Sequence, residues 1–387
     1  MVSFRCPWPA EKGGYVLRFL NIARILSKNY KIDLLTLVKN QEEKYLDNLR
    51  ERFDKVICFR HPKIYEYFGA LKAIFSSKPL QVGYYCSPKM KDWIKRNYGN
   101  YDLVFCSTVR TSDYVRDLDV KKCIDFIDAI SLNYHQAVKK AKGLWKIIYS
   151  VENKRLLDYE RKIAEDFDLS FITAQKDKDF ILEKDNGKMV VLPSGVKEEL
   201  LKREFVGKEE DLLVFFGKMD YQPNEDACLF FAQEVFPKIK KRVPSAEFYI
   251  VGMSPTKKVL GLRKIEGVKV TGRVDDPYSY LEKSKIVIAP IRFGGGIQTK
   301  ILEGMALGKA VLTTPIGAAG IVEAKDGKHL IVADHEKPNE MAEKAVLLLR
   351  DDELRKKIGG SARSLILENY RWDKTENKLF ENLKTIL

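Results

Sequence analysis

The segment RFGGGIQTKILEGMALGKAVLTT, residues 292–314, contains three consecutive glycines between an apolar run and a helical pattern. The runs KIVIAPI (285–291) and KAVLTTPIG (309–317) predict strands, with a helix from about Ile297 to Leu307 between them. A glycine turn from a strand into a helix lets backbone N–H groups and the positive end of the helix dipole approach an anion. The segment therefore predicts a phosphate site at Gly294, Gly295 and Gly296, with an ordinary strand-to-helix turn as the alternative.

Two charged residues follow the glycines on the predicted helix. Lys300 and Glu303 lie three residues apart on the face that begins at Gly296, whereas Ile301 and Met305 form a separate, inward apolar pair. Glu303 lies about 10 Å of helix rise beyond Gly296, roughly the distance from a diphosphate to a ribose. A carboxylate suits ribose hydroxyl donors, so the spacing favours a nucleotide. A surface ion pair between Lys300 and Glu303 is the alternative.

The rest of the chain repeats the alternation of apolar runs and amphipathic helical patterns, which predicts α/β structure with parallel sheets. Ten further runs predict strands: 31–38, 55–60, 102–107, 122–128, 169–174, 188–195, 212–219, 247–252, 268–274 and 329–333. A polar stretch at 194–211 separates two α/β units of similar build. We expect two Rossmann-like, doubly wound domains that face a central cleft. The predicted domains are residues 1–193 and 194–369, with a terminal helix over 370–387 that returns to the first domain.

The composition argues against a membrane-spanning segment, a signal peptide, a disulfide framework and a metal site. The 387 residues are 45% hydrophobic, with no run of 18 apolar residues and no leader pattern at the start, so we expect a soluble, cytoplasmic protein. The six cysteines lack a C-x-x-C pair and suit reduced thiols better than disulfides or a metal site. Only MVSFR precedes CPWP, so we expect either a short first strand, which would weaken the sheet as an edge, or a given start that lies downstream of the true one.

The positive charge is concentrated in the first part of the chain. Residues 1–150 hold 27 Lys and Arg against 15 Asp and Glu, whereas residues 151–387 hold 41 against 39. Such a surplus suits an anionic membrane face or a phosphate-bearing substrate, and a lysine-rich solvated surface is the alternative. Nucleic acid is disfavoured because no recognised nucleic-acid-binding motif is present.

Three long stretches resemble one enzyme family. They are residues 6–26 (CPWPAEKGGYVLRFLNIARIL), residues 215–255 from FFGKMD to VGMSP, and residues 268–321 from VKVTGRV to GAAGI. They look like the GT-B glycosyltransferases of family 4 (group 1), closest to the sugar transferases of exopolysaccharide and exosortase gene clusters. PLQVGYYCSP (79–88) and CIDFIDAIS (123–131) are similar to the same branch.

The resemblance implies a retaining, hexosyltransferase-type enzyme. It would take a sugar from a nucleotide diphosphate sugar on the C-terminal domain and pass it to an acceptor on the N-terminal domain. It implies neither a divalent metal nor a cofactor other than the donor substrate. The acceptor would be a glycan, polysaccharide or lipid-linked sugar, handled at the inner face of the membrane, where the basic N-terminal domain would dock on anionic lipid.

The resemblance also assigns donor-site residues. Glu303 matches the second glutamate of the E-x7-E motif, which holds the ribose, whereas Gly295 stands where the first glutamate usually meets the donor sugar. Lys218 and Lys300 are the candidates to balance the diphosphate charge, and Arg273 the candidate to line the nucleotide edge. The remaining predicted donor contacts are Gly217, Gly294, Gly296, Ile297, Gln298, and Gly13 and Gly14 of KGG (12–14), where a tight strand-to-helix turn that binds nothing is the alternative.

The predicted acceptor side departs from the family. Many relatives have a histidine where this chain has Ile127, and Asp128 matches the aspartate that follows. A retaining transfer tolerates that loss, because the departing diphosphate can accept the acceptor's proton and the site then supplies charge and alignment. Lys218, Lys300 and Asp128 are the catalytic candidates, and His135 is a further acceptor-side candidate. A structural carboxylate at Asp128 and a surface position at His135 are the alternatives.

Two other functions fit the same architecture. A sugar-nucleotide epimerase would alter its substrate without an acceptor. The substitutions at Gly295 and Ile127 also permit a degenerate, non-catalytic partner that binds a nucleotide sugar within a membrane glycan assembly. A nicotinamide-dependent Rossmann enzyme fits poorly, because no G-x-G-x-x-G follows the first strand.

Overall fold

The computed structural model describes residues 1–10, 13–203 and 207–387, with the side chain of Lys140 excepted. The chain forms two compact units, one of residues 1–193 and 375–387 and one of residues 194–374. Each unit is a parallel sheet covered by helices. The twelve strands predicted from the sequence are all present, the one at 55–60 with the predicted bounds and the others in shorter or slightly shifted form, and the predicted α/β class is confirmed.

The first unit contains a seven-stranded sheet in the order β3-β2-β1-β4-β5-β6-β7. Its strands are β1 Val2–Ser3, β2 Asp33–Val38, β3 Lys55–Arg60, β4 Val104–Ser107, β5 Lys122–Ile127, β6 Leu169–Ile172 and β7 Met189–Val191. All neighbouring strands are parallel. The expectation that β1 forms a weak edge is wrong in position, because this two-residue strand lies between β2 and β4 in the middle of the sheet.

Helices connect these strands in order along the chain. They are α1 Gly14–Leu26, α2 Leu46–Arg50, α3 Lys63–Ile74, α4 Leu80–Tyr84, α5 Pro88–Asn97, α6 Val109–Ser112, α7 Ile130–Lys140, α8 Gly143–Asp166 and α9 Gln175–Ile181, with 3-10 turns at Asn40–Tyr45 and Tyr98–Asn100. Arg18 on α1 donates to both carboxylate oxygens of Asp125 on β5, at 2.6 and 2.9 Å. This buried, two-point ion pair fixes the first helix against the centre of the sheet.

The second unit repeats the plan with six parallel strands in the order β10-β9-β8-β11-β12-β13. They are β8 Glu210–Phe216, β9 Glu247–Val251, β10 Val268–Gly272, β11 Ser284–Ala289, β12 Ala310–Thr313 and β13 Ile331–Val332. The helices are α10 Glu198–Lys202, α11 Gln222–Phe230, α12 Phe236–Arg242, α13 Lys257–Gly261, α14 Tyr278–Lys283, α15 Thr299–Ala306, α16 Pro315–Ala318, α17 Pro338–Arg350 and α18 Asp352–Asn369, with a π-turn at Phe231–Val235 and a 3-10 turn at Leu262–Lys264. Buried Phe, Ile, Leu and Val side chains fill the space on both faces of the sheet.

The last helix, α19 (Trp372–Leu383), begins in the second unit and continues in the first. From Thr375 onward its residues pack within the first unit. Thr375 donates to the carbonyl of Pro193 at 2.9 Å, and Lys28 contacts the carboxylate of Glu376 at 2.6 Å. Residues 375–387 are therefore a structural part of the first unit, although they stand at the end of the sequence.

Candidate functional site

In a doubly wound sheet, ligands bind beyond the carboxyl ends of the strands, at the point where the strand order reverses. In the second unit this point lies between β8 and β11, because the chain proceeds from β8 to β9 on one side and later to β11 on the other. The loop after β8 begins at Gly217, and the loop after β11 contains the three glycines at 294–296. The topology thus brings both predicted glycine sites to the same part of the sheet.

Glycines at the ends of β8 and β9 bring two backbones into close contact. A Cβ added to Gly252 would lie 1.9 Å from the carbonyl oxygen of Gly217, so no side chain fits there. The N–H of Gly217 donates to Val251 at 3.0 Å, and the N–H of Gly252 donates to Gly272 at 3.2 Å. Gly217 and Gly252 also have φ values of 147° and 146°, in a region that other residues rarely adopt. At Gly217 and Gly252, the carboxyl ends of β8 and β9 therefore present backbone atoms and no side chains.

The helix after the three glycines is α15, which begins at Thr299 rather than near the predicted Ile297. Gly296 has φ 66° and Gln298 is extended, so the chain becomes helical only after both. Gly320 closes the other side of this loop, because an added Cβ there would lie 2.6 Å from the carbonyl oxygen of Gly296. The glycine loop is thus a tightly packed turn whose conformation requires glycine.

Lys300 lies in the first turn of α15 and reaches back toward the loop after β8. Its ammonium donates to Asn224 Oδ1 at 2.9 Å and to Gln298 Oε1 at 3.4 Å. Asn224 in turn donates to the carbonyl of Lys218 at 2.9 Å. Desolvation lowers the pKa of Lys300 to about 8. Because its partners are neutral amides and it is partly removed from water, the Lys300 ammonium can pair with an anion that binds beside it.

Glu303 lies one turn further along α15 and is buried. It accepts a hydrogen bond from the Tyr278 hydroxyl at 3.0 Å. Burial raises its pKa to about 7, and this effect exceeds the opposing influence of Lys197, the Tyr278 hydrogen bond and Lys300. Lys300 and Glu303 have separate polar partners, so the alternative of a simple surface ion pair between them does not describe this helix.

Three other predicted donor residues lie around the same loops. Lys218 follows Gly217 but is exposed, and its ammonium lies 3.3 Å from the carboxylate of Asp220. Arg273 is exposed just beyond β10. Ile297 packs against the apolar core of the unit. The structure thus brings Lys300 and Gln298 into direct contact, whereas Lys218 and Arg273 lie on the exposed rim.

In the first unit, the corresponding reversal of strand order lies between β1 and β4. Gly13 precedes α1 with φ 149° and Gly14 is its first residue, and an added Cβ at either would meet no described atom within 4 Å. Lys12 of the predicted KGG turn lies outside the described residues. The helix start therefore has open space beside its backbone, as a ligand contact requires.

Backbone strain marks the predicted acceptor side. Ile127 has φ 69°, and Thr108 at the end of the neighbouring strand has φ 63°. This left-handed conformation is costly for β-branched residues, and such strain is common at functional sites. Thr173 holds the strained residue by donating to the Ile127 carbonyl from its N–H at 2.9 Å and its hydroxyl at 2.7 Å.

Asp128 follows Ile127 and accepts a hydrogen bond from Asn133 at 3.0 Å. Burial raises the pKa of Asp128, and the charge of Arg110 acts against this shift. His135 lies in the second turn of α7, where its ring packs edge-on against Phe180 at a centroid distance of 5.5 Å. Asp128 thus lies at the strand end with the strained backbone, and His135 belongs to a helix-packing contact.

The sequence did not point to Asn224, Tyr278 or Gly252. Asn224 contacts Lys300, Tyr278 contacts Glu303 and Gly252 contacts Gly217, and each contact joins separate elements of the unit. Two of these residues have a local sequence signal. Asn224 follows FGKMD by four residues, and Gly252 ends a predicted strand in the same manner as Gly217. A comparison of strand ends would have found Gly252, whereas no pattern distinguishes Tyr278 from a core aromatic residue.

Comparison with known proteins relates the second unit to one enzyme family. Residues 210–351 match the family described as Glycosyl transferases group 1. An uncharacterized 44.6 kDa protein in the cps region of Klebsiella pneumoniae is 23% identical over 401 residues, 98% of each chain. An uncharacterized glycosyltransferase of Methanocaldococcus jannaschii is 32% identical over 132 residues, 33% of each chain.

Solved structures extend the likeness to both units. HepE from Anabaena, in complex with UDP, has a TM-score of 0.69 at 13% identity and covers 99% of each chain. Other structures of HepE hold UDP with glucose, or UDP-glucose. The resemblance inferred from the motifs is confirmed at the level of family and fold. Residues 210–351 match a group 1 glycosyltransferase domain and the chain has the GT-B fold, which together support a sugar-transferring enzyme.

Proposed function

We propose that this enzyme moves a sugar from a nucleoside diphosphate sugar, bound by the second unit, to a glycan or lipid-linked acceptor, with retention of anomeric configuration. The observation that carries the proposal is the pair on α15. A half-buried ammonium and a buried carboxylate follow a glycine turn at the strand-order reversal, and each has its own neutral partner. UDP and UDP-glucose in the distant HepE structures support a donor of this class.

The roles follow from charge and position. Lys300 neutralises the diphosphate. Desolvation lowers the pKa of this lysine, so its charged form is stabilised when an anion binds beside it. Glu303 accepts hydrogen bonds from the ribose hydroxyls, with Tyr278 holding the carboxylate in place. Gln298 and the glycine loop approach the phosphates and the sugar. Gly295 has no side chain where the family motif has a glutamate, so recognition of the transferred sugar differs at this position.

The transfer step needs no dedicated base. The bond from the anomeric carbon to the diphosphate oxygen breaks, and the acceptor hydroxyl oxygen bonds to the same carbon from the same face. The departing diphosphate accepts the hydroxyl proton. Lys300 stabilises the negative charge that develops on the leaving group, which is a large contribution in a site of low dielectric. Asp128 and the strained strand end position the acceptor hydroxyl on the first unit.

Calorimetric titration of the full chain with UDP, GDP and ADP tests donor binding, and incubation with the corresponding sugar nucleotides tests turnover. We expect one nucleotide to bind, and a ligand at 100 times its dissociation constant to stabilise the fold by about 2.7 kcal/mol. Release of free sugar or transfer to a glycan supports a transferase. Conversion of the donor to an isomeric sugar nucleotide without an acceptor would instead indicate an epimerase, and absence of any nucleotide binding would contradict the proposal.

A further inference from the structure

Helix α3 turns its large apolar side chains toward solvent. Ile64, Tyr67, Phe68 and Leu71 recur at spacings of three and four residues, and all are exposed. Phe75, directly after the helix, is 86% exposed. This spacing is that of a helix face that normally packs into a core. Here the face is uncovered.

The opposite side of α3 explains this orientation. Gly69 and Ala73 pack on α4, and a Cβ added to Gly69 would lie 2.0 Å from the carbonyl oxygen of Gly83. Glu66 on the same side is buried and accepts a hydrogen bond from Tyr84 on α4 at 2.6 Å. The small side of the helix is therefore fixed against its neighbour, and the large apolar side cannot turn inward.

The first turns of α8 add a second exposed line. Leu144, Ile147 and Val151 are three and four residues apart, and all are exposed, as is Trp145. Arg155 lies one turn beyond Val151 on the same side of the helix and donates to the carbonyl of Ile74, the last residue of α3, at 3.1 Å. The line on α8 thus leads to the end of α3. We call the two lines together the α3/α8 face: Ile64, Tyr67, Phe68, Leu71, Phe75, Leu144, Trp145, Ile147 and Val151.

The charges around this face have one sign. The only carboxylates within residues 63–75 and 139–155 are Glu66 and Glu152, and both are buried. Glu66 pairs with Lys39 at 2.9 Å, and Glu152 accepts from the N–H of Leu80 at 2.5 Å. The described side chains that are both charged and exposed in these segments are all lysines: Lys63, Lys72, Lys139, Lys142, Lys146 and Lys154.

We propose that the α3/α8 face docks on the surface of a lipid bilayer that carries acidic headgroups. Exposed apolar and aromatic side chains enter the boundary between headgroups and acyl chains, and flanking lysines are attracted to the negative surface. A face with exposed charges of a single sign complements that surface, whereas a protein partner of mixed charge would leave lysines unpaired. Among the described residues, no helix combines the length and apolarity that a membrane span requires. The docking is therefore interfacial.

Sedimentation of the full chain with vesicles tests this proposal. We expect the protein to bind phosphatidylcholine–phosphatidylglycerol vesicles and to bind vesicles of phosphatidylcholine alone much more weakly. The double variant Phe68→Ser/Trp145→Ser should bind the acidic vesicles at least about tenfold more weakly, because two large apolar side chains no longer enter the lipid. The matched control is Val322→Ser/Leu347→Ser, which removes two side chains of the second unit that are 60% and 52% exposed and should leave binding unchanged.

A charge variant separates the electrostatic part. Lys142→Glu/Lys146→Glu should weaken binding to acidic vesicles by about fivefold or more per lysine, and added salt should weaken binding of the native chain in the same direction. Nucleotide titration should be unchanged in every variant, so failure of docking is distinguishable from failure of the donor site. Equal vesicle binding by the face variant and its control would overturn the proposal. So would a concentration-dependent dimer that Phe68→Ser/Trp145→Ser abolishes while vesicles bind neither form.

Discussion

Lys300 on α15 donates a hydrogen bond to Asn224 on α11 across 2.9 Å, which joins residues 76 positions apart in the chain. The contact fixes the ammonium beside the loop after β8. The Lys300 ammonium donates to the neutral amide oxygens of Asn224 and Gln298, and no carboxylate of a described residue is in direct contact with it. This relationship makes the lysine the central test of the donor site.

Lys300→Ala should weaken binding of the preferred nucleoside diphosphate by about 10- to 100-fold, since a hydrogen bond to a charged group contributes roughly 1.5–3 kcal/mol. Calorimetric titration measures this change. Lys218→Ala is the matched control, because Lys218 is exposed and lies 3.3 Å from Asp220. We expect a smaller loss there. Equal losses in the two variants would assign the diphosphate contact to both lysines, and no loss at Lys300 would remove it from the site.

Glu303→Gln should weaken binding of a ribonucleotide by about tenfold or more, because the charged acceptor for the ribose hydroxyls is lost. The same variant should discriminate less between a ribonucleoside and a 2′,3′-dideoxyribonucleoside diphosphate. Titration of both ligands with both proteins gives the coupling directly. Tyr278→Phe keeps the carboxylate and should have a weaker effect. An unchanged preference for ribose in Glu303→Gln would show that another residue recognises the sugar ring.

Donor affinity should depend on pH in both directions. Glu303 has a pKa raised to about 7, and it must ionise to accept from ribose, so affinity should rise as pH increases through about 7. Lys300 has a pKa lowered to about 8, and it must be protonated to bind the diphosphate, so affinity should fall as pH increases through about 8. The expected maximum lies between these values. Glu303→Gln should remove the acidic limb and Lys300→Ala the alkaline limb; a native profile flat from pH 6 to 9 would contradict both assignments.

The same groups affect stability in the absence of a donor. Because the folded pKa of Glu303 is above its ordinary 4.5, the folded chain binds the proton more tightly, and this stabilisation is lost as pH rises toward about 7. Thermal unfolding of native and Glu303→Gln protein across this range measures the effect. The variant should show a smaller fall in Tm between pH 5 and 7, whereas parallel curves would show that other groups control the dependence.

Gly252→Ala should destabilise the second unit by about 2 kcal/mol or more, because the new methyl group would lie 1.9 Å from the carbonyl oxygen of Gly217 in a backbone conformation unsuited to alanine. Gly261→Ala is the control. An added Cβ there meets no described atom within 4 Å and the residue is helical, so we expect a gain of about 0.5–1 kcal/mol. Chemical denaturation of both variants measures the difference. Equal stability would show that the strand ends can separate without cost.

The fold was largely predictable from the sequence because buried parallel strands are continuous apolar runs. The carboxyl ends of the strands were harder to predict. At KMVVLPSG and LLVFFGKM the apolar pattern continues past the last paired residue, and strands β7 and β8 end at Val191 and Phe216. These extra residues belong to the loops that follow the two strands, and the predicted donor residues Gly217 and Lys218 are among them. Apolarity alone does not separate a strand from the buried start of the loop that follows it.

The site was partly predictable for a similar reason. Glu303 and Lys300 share one helix, so their spacing follows from the helical repeat. Asn224 and Tyr278 come from other elements, and their contacts depend on strand order, which periodicity does not reveal. The strain at Ile127 was equally hidden, because an isoleucine is ordinary in a strand and becomes unusual only at a φ of 69°.

The contact between Gly69 and Gly83 has a consequence for how this enzyme can change over evolution. Because the two backbones touch, α3 is aligned by atoms that every amino acid possesses, and the large side chains on its outer side take no part in that alignment. Those outer positions can vary in size and chemistry while the helix keeps its orientation. Two missing side chains thus fix the direction of the helix and leave its outward surface free to adapt to a new environment.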